Sequence, residues 1–417
     1  MTHSEVQERK PTMKKNSRQA KEKARVSKQS KETQRQQRAE QRAEALLRKL
    51  EANAAREVEA RPEAPAYYIG IDAGDRKSHF CMLNGAGRVV IEESVATTRE
   101  GLSAYFSKVE RSWIVLEVGT HSAWISELLE SLGHRVVVAN ARKVRAIYGN
   151  RRKNDRVDAR TLGRLLRVDE ELLHGIRHRG AASRQSLSLL RARDALVSVR
   201  SKLISSMRGI VKSHGGRLPS CSAESFAGKV KEAIPEVLKE ALTPMLEQIE
   251  SLTASIRKYD RGVTALTKKY KETESLRQVN GVGELISVAY VLTVEDPSRF
   301  RKSREVGPYL GMVPRQDDSG DSSPQLRITK TGDRMLRRMM VLAAQYILGC
   351  HGEDCDLRRY GLRIAARGGK NAKKRAVVAV ARKLAVLLHR LWVTGEVYEP
   401  MRNSRQEQQQ RTQEEAA

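Results

Sequence analysis

The stretch YYIGIDAGDRKSHFCMLNGAGRVVIEESVA, residues 67–96, decides how the chain is read. Tyr68, Ile69, Gly70 and Ile71 form a short apolar run that ends in an acid, Asp72, as a buried strand does when it reaches the edge of a core. KSHFCML and RVVIEESVA then read as two more strands, with the turn at Asn84–Gly85 or at Gly87. Moving outward, SWIVLEVGT (112–120) is another buried strand, SAWISELLESLG (122–133) a helix ending at Gly133, and RVVVAN (135–140) a further strand. A helical stretch is expected through VRAIYG (144–149). Strands that come first and then alternate with helices predict a mixed α/β sheet with helices packed on it.

Within this region four carboxylates stand out. Asp72 closes the first strand. Glu117 interrupts IVLEVG, where an acid between apolar neighbours is costly to bury unless something pairs with it. Asp155 and Asp158 lie three residues apart in GNRRKNDRVDARTLGRL (149–165), so on a helix they share one face. Alone, Asp158 reads as the ion-pair partner of a neighbouring arginine, Asp72 as a turn residue with Asp75 as its competitor. As a set, two strand acids and a helical acid pair are what oxygen ligation of Mg²⁺ requires. Two such ions roughly 3.5–4 Å apart can activate a nucleophile and stabilise a leaving oxygen at a phosphodiester.

From Gln185 the pattern turns helical. Leu189, Leu196, Leu203 and Ile210 repeat every seventh residue, with Ala192, Val199 and Ser206 between them. A second series runs from Leu242 through Met245, Ile249, Leu252, Ile256, Tyr259, Val263 and Leu266 to Tyr270. Thr243 and Pro244 read as its cap and first turn. Two such helices fit an antiparallel hairpin or intermolecular coiled coil, or equally an ordinary bundle core. LRQVNGVGELISVAYVL (276–292) has a Gly-Val-Gly turn opening a helix, in the manner of a helix-hairpin-helix element. PYLGMVPRQDDSGDSSPQLRITKTGDRML (308–336) reads as a loop leading to a helix capped by Asp333. NAKKRAVVAVARKLAVLLHRLWVTG (371–395) is a last helix with one basic and one apolar face.

The 78 Lys and Arg against 50 Asp and Glu leave a net charge of +28, which points to a polyanionic partner. With no apolar run of membrane-spanning length and no signal-peptide pattern, the expected partner is nucleic acid and the expected compartment cytoplasmic. Aromatic residues are only 4%, so contacts to a phosphate backbone are expected to outweigh base stacking. Cys81, Cys221, Cys350 and Cys355 lack CxxC spacing and predict neither zinc nor a disulfide framework. Residues 1–65 read as a basic, largely disordered arm and 399–417 as a disordered tail.

YIGIDAGDRKSHF, VLEVGT and KNDRVDARTLGRLL, in this order, resemble the RuvC-like, RNase H-fold catalytic domain of the DEDD insertion-sequence transposases, recombinases guided by a structured bridge RNA. QVNGVGELISVAYVL, PYLGMVPRQDDSGDSS, LRITKTGDRMLRRMMVLAA and GGKNAKKRAVVAVARKLA resemble that family's C-terminal transposase domain. The resemblance covers roughly residues 67 to 400, and the basic arm before them departs from it. It implies an RNase H-like domain at 66–180, a helical coiled-coil segment at 181–274 and a mainly helical transposase domain at 275–398. It also implies a prokaryotic enzyme in which Asp72, Glu117, Asp155 and Asp158 hold Mg²⁺, two ions being expected. Donor and target DNA and a guide RNA would be the partners, and a homo-oligomer, dimer or tetramer, is expected. Ser319 would match the family's nucleophile. By spacing alone Ser322 and Ser323 are equally placed, and Arg315, Arg327, Lys330 and Arg334 stand near enough to neutralise a phosphate. Lys373, Lys374 and Arg375 would track nucleic acid along the last helix. A junction-resolving nuclease would use the same acids with water as nucleophile. A non-catalytic nucleic-acid-binding scaffold would need only the charge.

Overall fold

The computed structural model describes residues 65–140, 142–144, 154–320, 322–324 and 326–405. The basic arm, the helical stretch expected after Val144, and residues 406–417 lie outside the described residues. The described chain forms two compact units, one ending at His178 and one beginning at Arg179.

The first unit is built on β1 (Tyr68–Ala73), β2 (Lys77–Leu83), β3 (Val89–Ala96), β4 (Trp113–Glu117) and β5 (Arg135–Ala139), in the order β3-β2-β1-β4-β5. The first three are antiparallel neighbours, whereas β4 runs parallel to β1 and β5 parallel to β4. The turn between β2 and β3 spans Asn84–Arg88, with Gly87 donating to the Asn84 carbonyl at 2.8 Å and adopting φ +79°. Parallel strands need a crossover. Here α1 (Arg99–Phe106) and α2 (Ser122–Ser131) provide the two. The first of these helices went unrecognised in the sequence, although Thr98 caps it by accepting from the Gly101 amide at 3.0 Å.

Side-chain alternation divides the sheet into two faces. Ile69, Ile71, Ile114 and Leu116 bury against Leu102, Phe106, Ile125 and Leu129 of α1 and α2. On the other face lies α3 (Asp155–Val168), whose Leu162 and Leu166 pack on Val115, Val137 and Ala139, and whose Ala159 packs on Cys81 and Leu83.

The second unit is mostly helical. Its first helix, α4 (Ala181–Ser213), pairs antiparallel with α5 (Lys239–Lys269), so that Arg193 meets Asp260 and Arg200 meets Thr253. Two expectations are corrected here. Pro244 lies inside α5, not at its start, and Thr243 bonds back to the Lys239 carbonyl at 2.6 Å instead of capping. The helix begins five residues earlier because a turn at Glu236–Leu238 leads into it, and one missing N–H so near the end costs a single bond. On α4 the buried side runs through Leu187, Leu190, Arg200, Met207 and Val211, while Val199 is 45% exposed. A heptad series of apolar residues does not register a buried arginine such as Arg200. Its guanidinium is taken up by Glu224 at 2.9 Å and Thr253 at 3.3 Å.

The remaining core joins α6 (Glu284–Val294), α7 (Arg334–Leu348), α8 (Asp356–Ala366) and α9 (Ala372–Thr394). Gly281, at φ +88°, makes the turn before α6, and Asp333 caps α7 by accepting from the Leu336 amide at 2.9 Å. The Tyr290 hydroxyl, fully buried, donates to the Ala385 carbonyl at 2.6 Å. The segment after α9 is a further correction. Residues up to 405 do not trail away, since Asp356 accepts from the Asn403 and Ser404 amides at 2.6 and 3.2 Å and Glu396 pairs with Arg390 and Arg402. Polar composition suggested disorder, but these polar groups are satisfied by the start of α8 and the end of α9. Among the described residues no helix is long and apolar enough to cross a membrane.

Candidate active site

The acids converge because of where α3 rests. Gly70 in β1 has no side chain, and a Cβ built there would stand 2.0 Å from the Ala159 carbonyl oxygen and 2.5 Å from the Gly163 nitrogen. The helix backbone therefore lies directly on the strand. Asp72 is two residues beyond Gly70, and Glu117 two beyond Val115, so both share the face that α3 covers. The parallel register pairs Ile71 with Leu116, which puts Asp72 and Glu117 side by side at the ends of adjacent strands. The helix starts at Asp155, with the Asn154 side chain accepting from the Arg156 amide at 3.1 Å. Asp158, one turn further along, is only 8% exposed.

The electrostatics follow. Burial is the first cause that pushes the Asp72 carboxyl up to about 6, and Asp155, Asp158 and Glu117 add to it in that order, with His79 opposing them. One correction concerns Glu117. It terminates β4 and is only partly buried, so the burial cost expected of a mid-strand acid is moderated by solvent. Asp75, the alternative to Asp72, lies in the turn after β1. Its side chain is 94% exposed, with His121 3.6 Å away.

Two neighbours escaped the sequence reading. His79 pairs with Asp72 across the β1–β2 ladder, and its Nε2 is 3.9 Å from Asp155 Oδ2. The tight turn at Gly74–Asp75 was the available signal, because it fixes that register. Arg160 donates to both oxygens of Glu92 on β3, at 2.6 and 2.7 Å, and this pair holds the Glu92 carboxyl below its usual range. Burial, then the Glu92 hydrogen bond, pushes the Cys81 thiol up to about 12, which keeps it protonated. Arg160 thus serves as a clamp between α3 and β3.

Among the described residues, no three His, Cys, Asp or Glu side chains stand close enough to hold a metal ion as oriented. The chemistry of the donor set nonetheless fits a hard divalent cation. A half-buried Asp72, its pKa raised by burial and then by repulsion from neighbouring carboxylates, is the environment such an ion relieves.

That repulsion carries a prediction. A carboxyl whose folded pKa lies above its unfolded value binds its proton more tightly when folded, so its destabilising effect grows as pH rises from about 4 to 6 and persists above. Asp72→Asn is expected to stabilise chelator-treated protein at pH 7–8 by about 1–2 kcal/mol, allowing for solvent screening at a half-buried site, with the gain vanishing below about pH 4. Urea unfolding at the two pH values checks this. Equal stability of both proteins at pH 8 would contradict it.

In the second unit, Ser319 sits at the tip of a small hairpin. Ser319 and Ser322 exchange both backbone hydrogen bonds at 3.0 Å, with Gly320 at φ +56° between them, and Pro314 pairs with Ile328 below. Arg315 donates its amide to the Arg327 carbonyl at 3.0 Å in the hairpin stem. Ser319, Ser322 and Ser323 are all exposed. Arg327, Lys330, Lys374 and Arg375 line one cleft of about 1550 Å³. Lys373 does not, since it lies on another side of α9, and Arg334 lines a separate cleft beside Asp194 and Asp333.

A transposase model of the DEDD, IS110 type matches residues 69–215, and a model described as transposase IS116/IS110/IS902 family matches residues 273–357. Both belong to the same family; the first spans the sheet unit and runs on to the end of α4, and the second lies within the second unit. The chain belongs to the IS110 family of transposases. It is similar to the transposase for insertion sequence element IS1111A of Coxiella burnetii, 25% identical over 79% of this chain and 90% of that protein. It is also similar to the transposase for insertion sequence element IS1328 of Yersinia enterocolitica, 24% identical over 66% of this chain and 82% of that one.

Proposed function

We propose that the protein is a DNA transposase that cuts and exchanges strands through a covalent serine–DNA intermediate. The observation that carries the reading is the convergence on Asp72 of Glu117, Asp155 and Asp158, in a chain of this family. Three antiparallel strands continued by two parallel ones, with helices on both faces, support an RNase H-like first unit.

In this reading Asp72, Glu117, Asp155 and Asp158 hold Mg²⁺, two ions being the expected number. Bound there, the metal supplies Lewis acidity at the scissile phosphate. The rest of the chemistry belongs to the chain. The Ser319 hydroxyl gives up its proton and forms an Oγ–P bond, while the bond from that phosphorus to a deoxyribose oxygen breaks and the leaving oxygen takes a proton. The phosphodiester energy is kept in the serine ester, so a second DNA hydroxyl can reverse the step on another strand without a high-energy cofactor. Donor and target DNA are the substrates. Sequence choice by a paired guide RNA suits a chain rich in cations and poor in aromatic base readers. A homo-oligomer accounts for handling two DNA partners together.

The test is Mg²⁺-dependent strand cleavage. Glu117→Gln is expected to lower it by roughly a hundredfold or more while leaving RNA and DNA binding intact. Undiminished cleavage by the variant would sink the reading.

A further inference from the structure

The cleft between α8, α9 and the Ser319 hairpin has a feature that charge alone does not explain. Its lining draws on α8, on α9 along most of its length, on the segment after α9 and on the stem of the hairpin. Seven exposed cations, Arg327, Lys330, Arg363, Arg367, Lys374, Arg375 and Arg382, line it, and none of them forms an ion pair with a described acid. Other cations of the same lining have partners. Arg359 is paired with Asp354, Arg390 and Arg402 with Glu396, and Lys383 lies 3.8 Å over the Tyr360 ring. Holding seven uncompensated charges together raises the energy of the free protein. A polyanion laid along the cleft would relieve it.

Packing keeps these charges in place. On α8, Gly361 lets the helix approach α9 so closely that a Cβ there would stand 2.6 Å from Val380 and from Leu348. Asp356, at the first turn of α8, is held by the Asn403 and Ser404 amides, so the segment after α9 closes one end of the cleft. The hairpin stem is fixed by the Arg315–Arg327 and Thr329–Val313 backbone bonds at 3.0 and 2.9 Å. Arg327 and Lys330 therefore stand at a set place relative to the tip that carries Ser319.

We propose that this cleft is the channel for the DNA strand whose phosphate reaches Ser319, with Arg363 and Arg367 of α8 as backbone contacts that position it. This rests on the reading of Ser319 as the nucleophile. It adds α8, which the sequence did not mark, and it excludes Lys373 from the contact surface.

The test uses the full chain and two probes of one sequence, a nicked DNA duplex and an RNA duplex. DNA is expected to slow acetylation of Lys330 and Lys374 several-fold while leaving Lys258, exposed on α5, unaffected. In the protein carrying R363Q, R367Q, K374Q and R375Q, the slope of log affinity for DNA against log salt should fall by roughly 3, at about 0.7–0.9 per lost phosphate contact. The four side chains are exposed, so an unchanged melting temperature is expected, and it separates lost contacts from misfolding. Protection by RNA but not by DNA, or an unaltered slope, would overturn the proposal. If protection and slope behave as expected but wild-type protein never forms a serine adduct, the nucleophile reading fails while the channel stands.

Discussion

Ser319→Ala protein is expected to form no covalent adduct with nicked duplex DNA under conditions in which the unaltered protein does. The hairpin makes this a clean substitution. Ser319 is held by two backbone bonds to Ser322, and Gly320 supplies the positive φ of the turn, so removal of one exposed hydroxyl leaves the framework in place. Stability should change by no more than about 0.5 kcal/mol. Loss of the adduct would then report chemistry and not folding. Denaturing gel electrophoresis of protein bound to end-labelled DNA is the measurement. Ser322→Ala and Ser323→Ala should keep the adduct, and an adduct that survives in S319A but disappears in either of them would move the nucleophile. If even the wild-type protein yields none while still cutting DNA, the attacking group is water and the enzyme is a nuclease of the junction-resolving kind.

The second large effect is expected at Gly70, far from any reacting atom. Gly70→Ala adds one methyl where a carbonyl oxygen stands 2.0 Å away, so α3 must retreat by roughly 1 Å or more to restore contact distance. Overpacking of this kind against backbone, which cannot rotate aside, should cost about 3 kcal/mol. Because Asp155 and Asp158 ride on α3, divalent-cation binding should weaken together with stability, and Mn²⁺ titration followed by calorimetry would read it. Gly163→Ala supplies the contrast. Its added Cβ would meet the Gly70 nitrogen at 3.1 Å and Leu83 at 3.3 Å, and the helix gains about 1 kcal/mol in propensity. That variant should be nearly neutral. Equal tolerance of both substitutions would mean that the close contact does not set the position of α3.

Much of this was legible beforehand, for identifiable reasons. The strands of the first unit announced themselves because apolar runs bounded by Gly, Asn and Asp have few other uses, and Asp333 proved to be a cap because an acid before a helix has a local partner in its own backbone. The four acids were visible as residue types in a pattern. The burial of Arg200 was not legible, since periodicity registers hydrophobicity and cannot see that Glu224 and Thr253 lie ready to receive a guanidinium. Pro244 misled for a related reason: its rule holds for a helix start, and which turn is the start was decided upstream.

By itself, then, the sequence determined the strands of the first unit, the long helices of the second, the family and the residue types of the candidate site, because these depend on neighbours along the chain and on residue type. Only the tertiary structure decided that Gly70 is the seat of α3, that Arg160 turns inward to Glu92, and that cations of α8, α9 and the hairpin share one cleft. Those facts depend on packing between segments distant in sequence, where a single absent methyl or a paired carboxylate sets the geometry, and no local pattern records the distance.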